Sequence, residues 1–144
     1  MTETSTQENE ELVSRVYEQA MSDLEAGKPI SPDQRLVHDV EHLMQEVNSG
    51  ASFEQYFRWT SLDEITRIRD HLRTLGLADL ADLVTEAIDI AFPRGLPASD
   101  DAKSEATHWT EEQESALEAL FPRLEDENGR VTNVLGEYAR RVRA

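Results

Sequence analysis

Residues 38–42, His-Asp-Val-Glu-His, combine residue types and spacing that suit metal chemistry. They match the H-x-x-E-H pattern of inverted zinc peptidases, in which two histidines one helical turn apart bind zinc and the glutamate acts as a base. On a helix turning about 100° per residue, the apolar face of this segment centres near Val40, so His38 and His42 are predicted to project toward water. A catalytic zinc also needs a third ligand and a shaped cavity. We therefore predict surface histidines without a metal, and keep as the alternative a small metal-dependent hydrolase that uses His38, Glu41 and His42.

Other patterns that carry chemistry are missing from the sequence. The chain has no cysteine, which excludes disulfides, thiolate metal sites and thiol nucleophiles. It contains no glycine-rich phosphate loop, nucleophile elbow or calcium-binding loop. His71 and His108 stand alone, and we assign neither a role. The sequence thus predicts a protein that is not an enzyme and needs no cofactor.

The distribution of charge is more informative than any motif. The chain has 30 acidic against 14 basic residues and a formal charge of -16. Such a charge repels nucleic acid, because affinity for DNA or RNA comes largely from Lys and Arg, so no direct nucleic-acid binding is expected. Any single row is typical of a solvated surface, but ordinary surfaces mix both signs, and three single-face rows with few countercharges together indicate an anionic binding face. The rows are Asp79, Asp82, Glu86 and Asp89; Glu11, Glu18 and Glu25; and Glu111, Glu114 and Glu118.

The elements that must carry these residues are all helical. Apolar residues recur at helical spacing, and no segment alternates as a strand would. We predict an all-α fold, a single compact domain of about six helices spanning residues 10–144, after a disordered lead-in at 1–9 and interrupted by a loop at 93–108. Ser61 with Glu64, and Thr110 with Gln113, match capping boxes that start two of the helices. No leader or membrane-spanning run is visible, so a cytoplasmic protein is expected.

The stretch 48–57, Asn-Ser-Gly-Ala-Ser-Phe-Glu-Gln-Tyr-Phe, resembles the signature of a bacterial all-helical family of largely unknown function, in which a helix runs into Asn-Gly-Gly-Phe-x-Gln-Phe-Phe. The likeness continues through Leu72-x-x-Leu75-Gly76 to Phe92-Pro93. The double glycine is diluted here to Gly50-Ala51. The signature residues are expected to be structural, with an aromatic anchor and a chain reversal at Gly50; they are Asn48, Gly50, Phe53, Gln55, Tyr56 and Phe57.

The resemblance also implies a function, because one characterised member of that family is a dimeric DNA mimic. By this likeness the chain would be a non-enzymatic interaction protein, whose acidic surface occupies the nucleic-acid-binding face of a basic partner such as a DNA-binding protein. A homodimer is implied by the same relative, and is also suggested by the aromatic block of residues 53–59. A further alternative is an immunity-type protein that binds one specific partner through an apolar patch near Trp59.

Overall fold

The computed structural model describes the backbone of residues 3–143 and the side chains of residues 6–141. The fold is all-α, as the sequence predicts, and the described residues contain no strand. None of their helices is long and apolar enough to cross a membrane. The helices are α1 (Glu3–Glu25), α2 (Pro32–Gly50), α3 (Glu54–Trp59), α4 (Leu62–Thr74), α5 (Ala78–Ala91), α6 (Asp100–Ala106), α7 (Glu111–Ala119), α8 (Phe121–Glu125) and α9 (Asn128–Arg143).

The first helix is longer than predicted. It includes residues 3–9, which were expected to be disordered, while residues 1–2 lie outside the described part of the chain. Asn9 accounts for the difference, because it is fully buried and its amide donates to Asn133 of α9 at 3.0 Å. A Cβ at Gly136 would lie only 2.5 Å from the Asn9 side chain, so the glycine makes room for this contact. Packing against α9 therefore extends α1 beyond its apolar pattern.

The described residues form more helices than the six or so predicted. The aromatic turn forms α3, Pro122 separates α8 from α7, and the last helix begins at Asn128. The loop predicted at 93–108 contains α6, which is started by a hydrogen bond from the Ala102 amide to the Ser99 hydroxyl. Lys103 of α6 is buried and donates to the carbonyls of Phe57 (2.6 Å) and Arg58 (3.1 Å), near the end of α3. A polar segment thus folds because it covers the polar end of another helix.

One core joins these helices. Helix α2 packs against α1, α3 and α4, and α5 packs against α4 and α7, so apolar faces from all parts of the chain meet. The predicted aromatic anchor lies inside this core: Phe53, Tyr56 and Phe57 are fully buried. The Phe57 ring meets that of Phe92 edge-on, with the centroids 5.4 Å apart. The anchor therefore fixes α3 between α2 and the end of α5.

The chain reversal after α2 occurs one residue later than predicted. Gly50 is the last residue of α2, and Ala51 adopts the left-handed conformation with φ of 51°. The Ala51 amide donates to the Val47 carbonyl and closes the helix. Gly50 instead allows the Gln55 side chain to pack close to the backbone of α2, because a Cβ at Gly50 would lie 3.1 Å from the Gln55 side-chain oxygen.

Candidate functional site

The acidic row on α5 faces solvent. Asp79, Asp82, Glu86 and Asp89 are all exposed, whereas the opposite face of the helix is buried in the core. The helical spacing predicted this arrangement. Leu83, which is 2% exposed, is among the residues that hold the helix against its neighbours.

One member of this row has a countercharge that the sequence pattern did not reveal. Arg123 of α8 binds Glu86 in a bidentate pair, with nitrogen–oxygen distances of 2.6 and 3.1 Å. The pair lowers the pKa of Glu86 and raises that of Arg123. Within the described residues, Asp79, Asp82 and Asp89 form no ion pair. The row therefore presents unpaired carboxylates on both sides of one neutralised position.

The row on α7 meets a carboxylate that sequence analysis missed. Glu111 and Glu118 are exposed and Glu114 is half-buried. Glu54 of α3 lies close enough for Glu114 and Glu118 to raise its pKa, although burial contributes most and Arg58 opposes the change. One Glu54 carboxylate oxygen is buried and finds no hydrogen-bond donor in the described part of the chain. Acids from two distant segments thus form a cluster, which we call the α3–α7 cluster: Glu54, Glu114 and Glu118.

The start of α7 is fixed against the end of α5. The Trp109 indole donates to the Ala91 carbonyl at 3.1 Å, and the side-chain amide of Gln113 donates to the Ile90 carbonyl at 3.0 Å. The Arg58 guanidinium lies over the Trp109 ring, 5.1 Å from its centroid. Gln113 also completes the predicted capping box with Thr110. The acidic rows of α5 and α7 therefore lie on helices held in direct contact.

The third row lies on a different group of helices. Glu11, Glu18 and Glu25 are exposed on α1, which packs against α2 and α9. Glu11 lies 3.9 Å from Arg15, a weak exposed pair.

The prediction that His38 and His42 project toward water is wrong. Their side chains are only 12% and 18% exposed, because α4 packs over this side of α2. His38 Nδ1 lies 2.8 Å from a carboxylate oxygen of Asp39, and His42 Nδ1 lies 2.5 Å from one of Glu64. Glu64 accordingly does not complete the predicted capping box. Ser61 still caps α4 by accepting from the Glu64 amide, but the Glu64 side chain has turned to His42.

Asp39 is the buried centre of this polar cluster. It is fully buried, and its second carboxylate oxygen accepts from Arg67 (3.2 Å) and pairs with His71 (3.1 Å). Burial alone would raise the pKa of Asp39, but the hydrogen bonds from His38 and His71 and the charge of Arg67 outweigh it and hold the pKa at about 2. His71, which sequence analysis left without a role, therefore joins α4 to α2.

Glu41 does not take part in this cluster. Its carboxylate accepts from Gln45 at 3.1 Å, and its pKa is raised by burial and by Glu10. In the alternative metal-dependent hydrolase, Glu41 would have to serve the two histidines as a base. The structure gives that place to Glu64, so the proposed His38, Glu41 and His42 trio has no shared hydrogen bond among the described residues.

The signature residues connect α2 to its neighbours. Asn48 exchanges two side-chain hydrogen bonds with Asn128 of α9 (3.1 and 2.9 Å) and also donates to the Met44 carbonyl. Gln55 donates to Glu46 at 2.7 Å. These contacts serve packing between helices, as expected of structural residues.

Comparison with known proteins gives one match. The family model of DMP19-like proteins matches residues 28–142, which begin just before α2 and extend into the last turn of α9. No curated protein and no solved structure matches the chain.

Proposed function

We propose that this chain, which belongs to the DMP19-like protein family, is a non-enzymatic interaction domain whose acidic surface occupies the nucleic-acid-binding face of a basic partner. The observation that carries the proposal is the α5 row, in which Asp79, Asp82 and Asp89 are exposed and unpaired within the described residues. Ordinary soluble surfaces mix both signs of charge, whereas in this row of four acids only Glu86 has a basic partner among the described residues.

The spacing of the row suits a partner that reads phosphates. Acids three and four residues apart on a helix repeat about every 4.5 to 6 Å. Because Lys and Arg side chains bind nucleic acid mainly through its charge, a regular row of carboxylates competes for the same groups. The α3–α7 cluster extends the negative charge onto the helix in contact with α5.

An exposed aromatic side chain adds an anchor to this charge. Trp59 is 71% exposed at the end of α3, the same helix that carries Glu54. Tryptophan is enriched among the residues that contribute most to protein interfaces, and a basic partner can also place a cation over its ring. The indole therefore supplies packing energy that carboxylates alone do not.

The proposed binding face comprises the α5 row and the α3–α7 cluster, and excludes the α1 row, which lies on a helix packed against α2 and α9. The test compares two variants with equal loss of charge. One carries Asp79→Asn, Asp82→Asn and Asp89→Asn, and its matched control carries Glu11→Gln, Glu18→Gln and Glu25→Gln on α1. Immobilised full-length protein is exposed to lysate at low salt, retained basic proteins are identified, and their release by added duplex DNA is measured. We expect retention by the wild type and the α1 variant, loss with the α5 variant, and displacement by DNA.

Equal retention by both variants, or retention insensitive to duplex DNA, would contradict the proposed mimicry. Retention that is insensitive to DNA and is lost on Trp59→Ala would instead favour the immunity-type alternative.

The homodimer stays a prediction that rests on the family resemblance. The aromatic block does not support a dimer in the way expected, because Phe53, Tyr56 and Phe57 are buried within the chain and Trp59 is the one exposed aromatic side chain among residues 53–59. Two copies of charge -16 repel each other, so association should tighten as salt is added. Light scattering that gives the monomer mass at every salt concentration would exclude the dimer.

A further inference from the structure

We propose that His38, Asp39 and Glu64 form a binding site for one divalent transition-metal ion of the zinc class, joining α2 to α4. One donor atom from each residue lies within 4.8 Å of the others. Asp39 and Glu64 are buried, and His38 is only 12% exposed. An imidazole with two carboxylates is a donor set that Zn²⁺ accepts.

The distances suit a metal after small side-chain movements. His38 Nδ1 lies 2.8 Å from Asp39 Oδ1 and 4.0 Å from Glu64 Oε1. Zinc bonds of about 2.0 to 2.2 Å in a tetrahedral arrangement separate the ligand atoms by about 3.3 Å. The first distance must therefore lengthen and the second shorten, each by less than an ångström, and the Asp39–Glu64 separation, which is within 4.8 Å, must also close to this value.

The remaining carboxylate oxygens are already held by an outer layer of donors. Asp39 Oδ2 is bound by Arg67 and His71, and Glu64 Oε2 by His42. Each carboxylate thus has one oxygen facing His38, while its other oxygen is held by Arg67 and His71 or by His42. Metal ligands are commonly oriented in this way, and the orientation reduces the loss of freedom on binding.

Tyr56 provides an independent observation at the same place. Its side chain is fully buried, and its hydroxyl has no hydrogen-bond partner among the described residues. The charges of Glu64 and Asp39 act on this hydroxyl, and its ring lies 6.1 Å from that of His42, so it faces the cluster. A buried hydroxyl left unpaired is costly, and a ligand bound to the metal, such as water, would pair with it.

This site is separate from the acidic surface. It uses no residue of the exposed rows and does not include Glu41, so it neither depends on the proposed mimicry nor restates the hydrolase trio. Asp39 and Glu64 balance the charge of a divalent ion, and Arg67 limits the repulsion between them when the ion is absent. The metal would cross-link two helices of the core.

The test titrates zinc chloride into tag-free, chelator-treated full-length protein by calorimetry. We expect one equivalent to bind the wild type, and at least tenfold weaker binding to Glu64→Gln and to His38→Gln. Two matched variants should bind as the wild type does: Glu41→Gln, a neighbouring half-buried acid, and His108→Gln, an exposed histidine. Circular dichroism establishes that each variant is folded.

A second measurement uses only the wild-type protein. Cobalt chloride should produce visible absorption typical of a four-coordinate site, and zinc should raise the thermal unfolding temperature until chelator is added. Absence of saturable one-to-one binding by the wild type would overturn the proposal, as would zinc binding that both Glu64→Gln and His38→Gln leave unchanged. If Glu64→Gln fails to fold, His38→Gln decides.

Discussion

Neutralising two acids of the α5 row should stabilise the fold while weakening partner binding. In the variant Asp82→Asn with Asp89→Asn, both changes lie on exposed positions and leave the buried face of α5 intact. Asp82 has like-charged neighbours at Asp79 and Glu86, and Asp89 has one at Glu86. The variant therefore removes repulsion without removing any ion pair formed within the described residues.

The expected gain follows from these neighbours. Like charges three or four residues apart on a helix repel by about 0.2 to 0.5 kcal/mol, so the three pairs amount to about 0.6 to 1.5 kcal/mol before the Arg123 pair screens those with Glu86. Asp89 also lies in the last turn of α5, where the helix dipole disfavours an anion by roughly 0.3 to 1 kcal/mol. A net gain of about 1 kcal/mol would raise the unfolding midpoint by roughly 2 to 4 °C for a chain of this size.

Thermal and urea unfolding at low and high salt measure this gain. It should shrink as salt is added, because exposed charges are screened. Association with the captured partner should slow, and its dependence on salt should flatten. Leu83→Ala is the apolar control and should cost roughly 2 to 5 kcal/mol. A charge variant less stable than the wild type, or one whose binding rate and salt dependence are unchanged, would refute this reasoning.

Other substitutions test particular contacts. Because the pKa of Glu54 is raised above 4.5, its charge penalises the folded state at neutral pH and stops doing so once lower pH has protonated it. Glu54→Gln should therefore be a few tenths of a kcal/mol more stable than the wild type at pH 7 in urea unfolding, with no advantage below about pH 4. Lys103→Met should cost roughly 1.5 to 3 kcal/mol in the same assay, since it removes charged donors from two carbonyls at the end of α3. Ala51→Gly should raise the thermal unfolding midpoint, because it relieves the strain of a left-handed alanine, about 1 to 2 kcal/mol. This relief exceeds the cost of the greater conformational freedom that glycine gives the unfolded chain. A lower midpoint would contradict this expectation.

The parts of the fold that local spacing determines were predictable from the sequence. A helix repeats over a few residues, so the buried face of α5 and its exposed acids follow from the pattern around Leu83. The cap at Thr110 follows from a short-range signal of the same kind. Such elements can be predicted without information about the rest of the chain.

The histidine cluster was not predictable in the same way. Glu64, the partner of His42, lies 22 residues further along the chain, and His71, a partner of Asp39, lies 32 residues further along. Both partners belong to α4, and the sequence pattern of α2 does not show which side of α2 that helix covers. Local spacing even assigned Glu64 to a cap, an interaction that the side chain gives up for a buried imidazole. Glu54 escaped notice for the same reason, since its acidic neighbours lie on α7. A polar residue next to an apolar face is ambiguous until a second helix covers it.

The acidity of the surface depends on where the few basic residues are used. Lys103 is buried on the carbonyls of α3, Arg67 is held by Asp39, and Arg130 donates to the Gly76 carbonyl. Lys103 and Arg67 join helices in this way, while Arg130 also lies 3.5 Å from a carboxylate oxygen of Glu127. Arg123 neutralises one position of the α5 row, and Arg15, Arg73 and Arg140 pair with exposed acids outside that row. Packing and local ion pairs thus use these basic side chains elsewhere and leave Asp79, Asp82 and Asp89 without a countercharge among the described residues, and this is the property that the proposed basic partner would recognise.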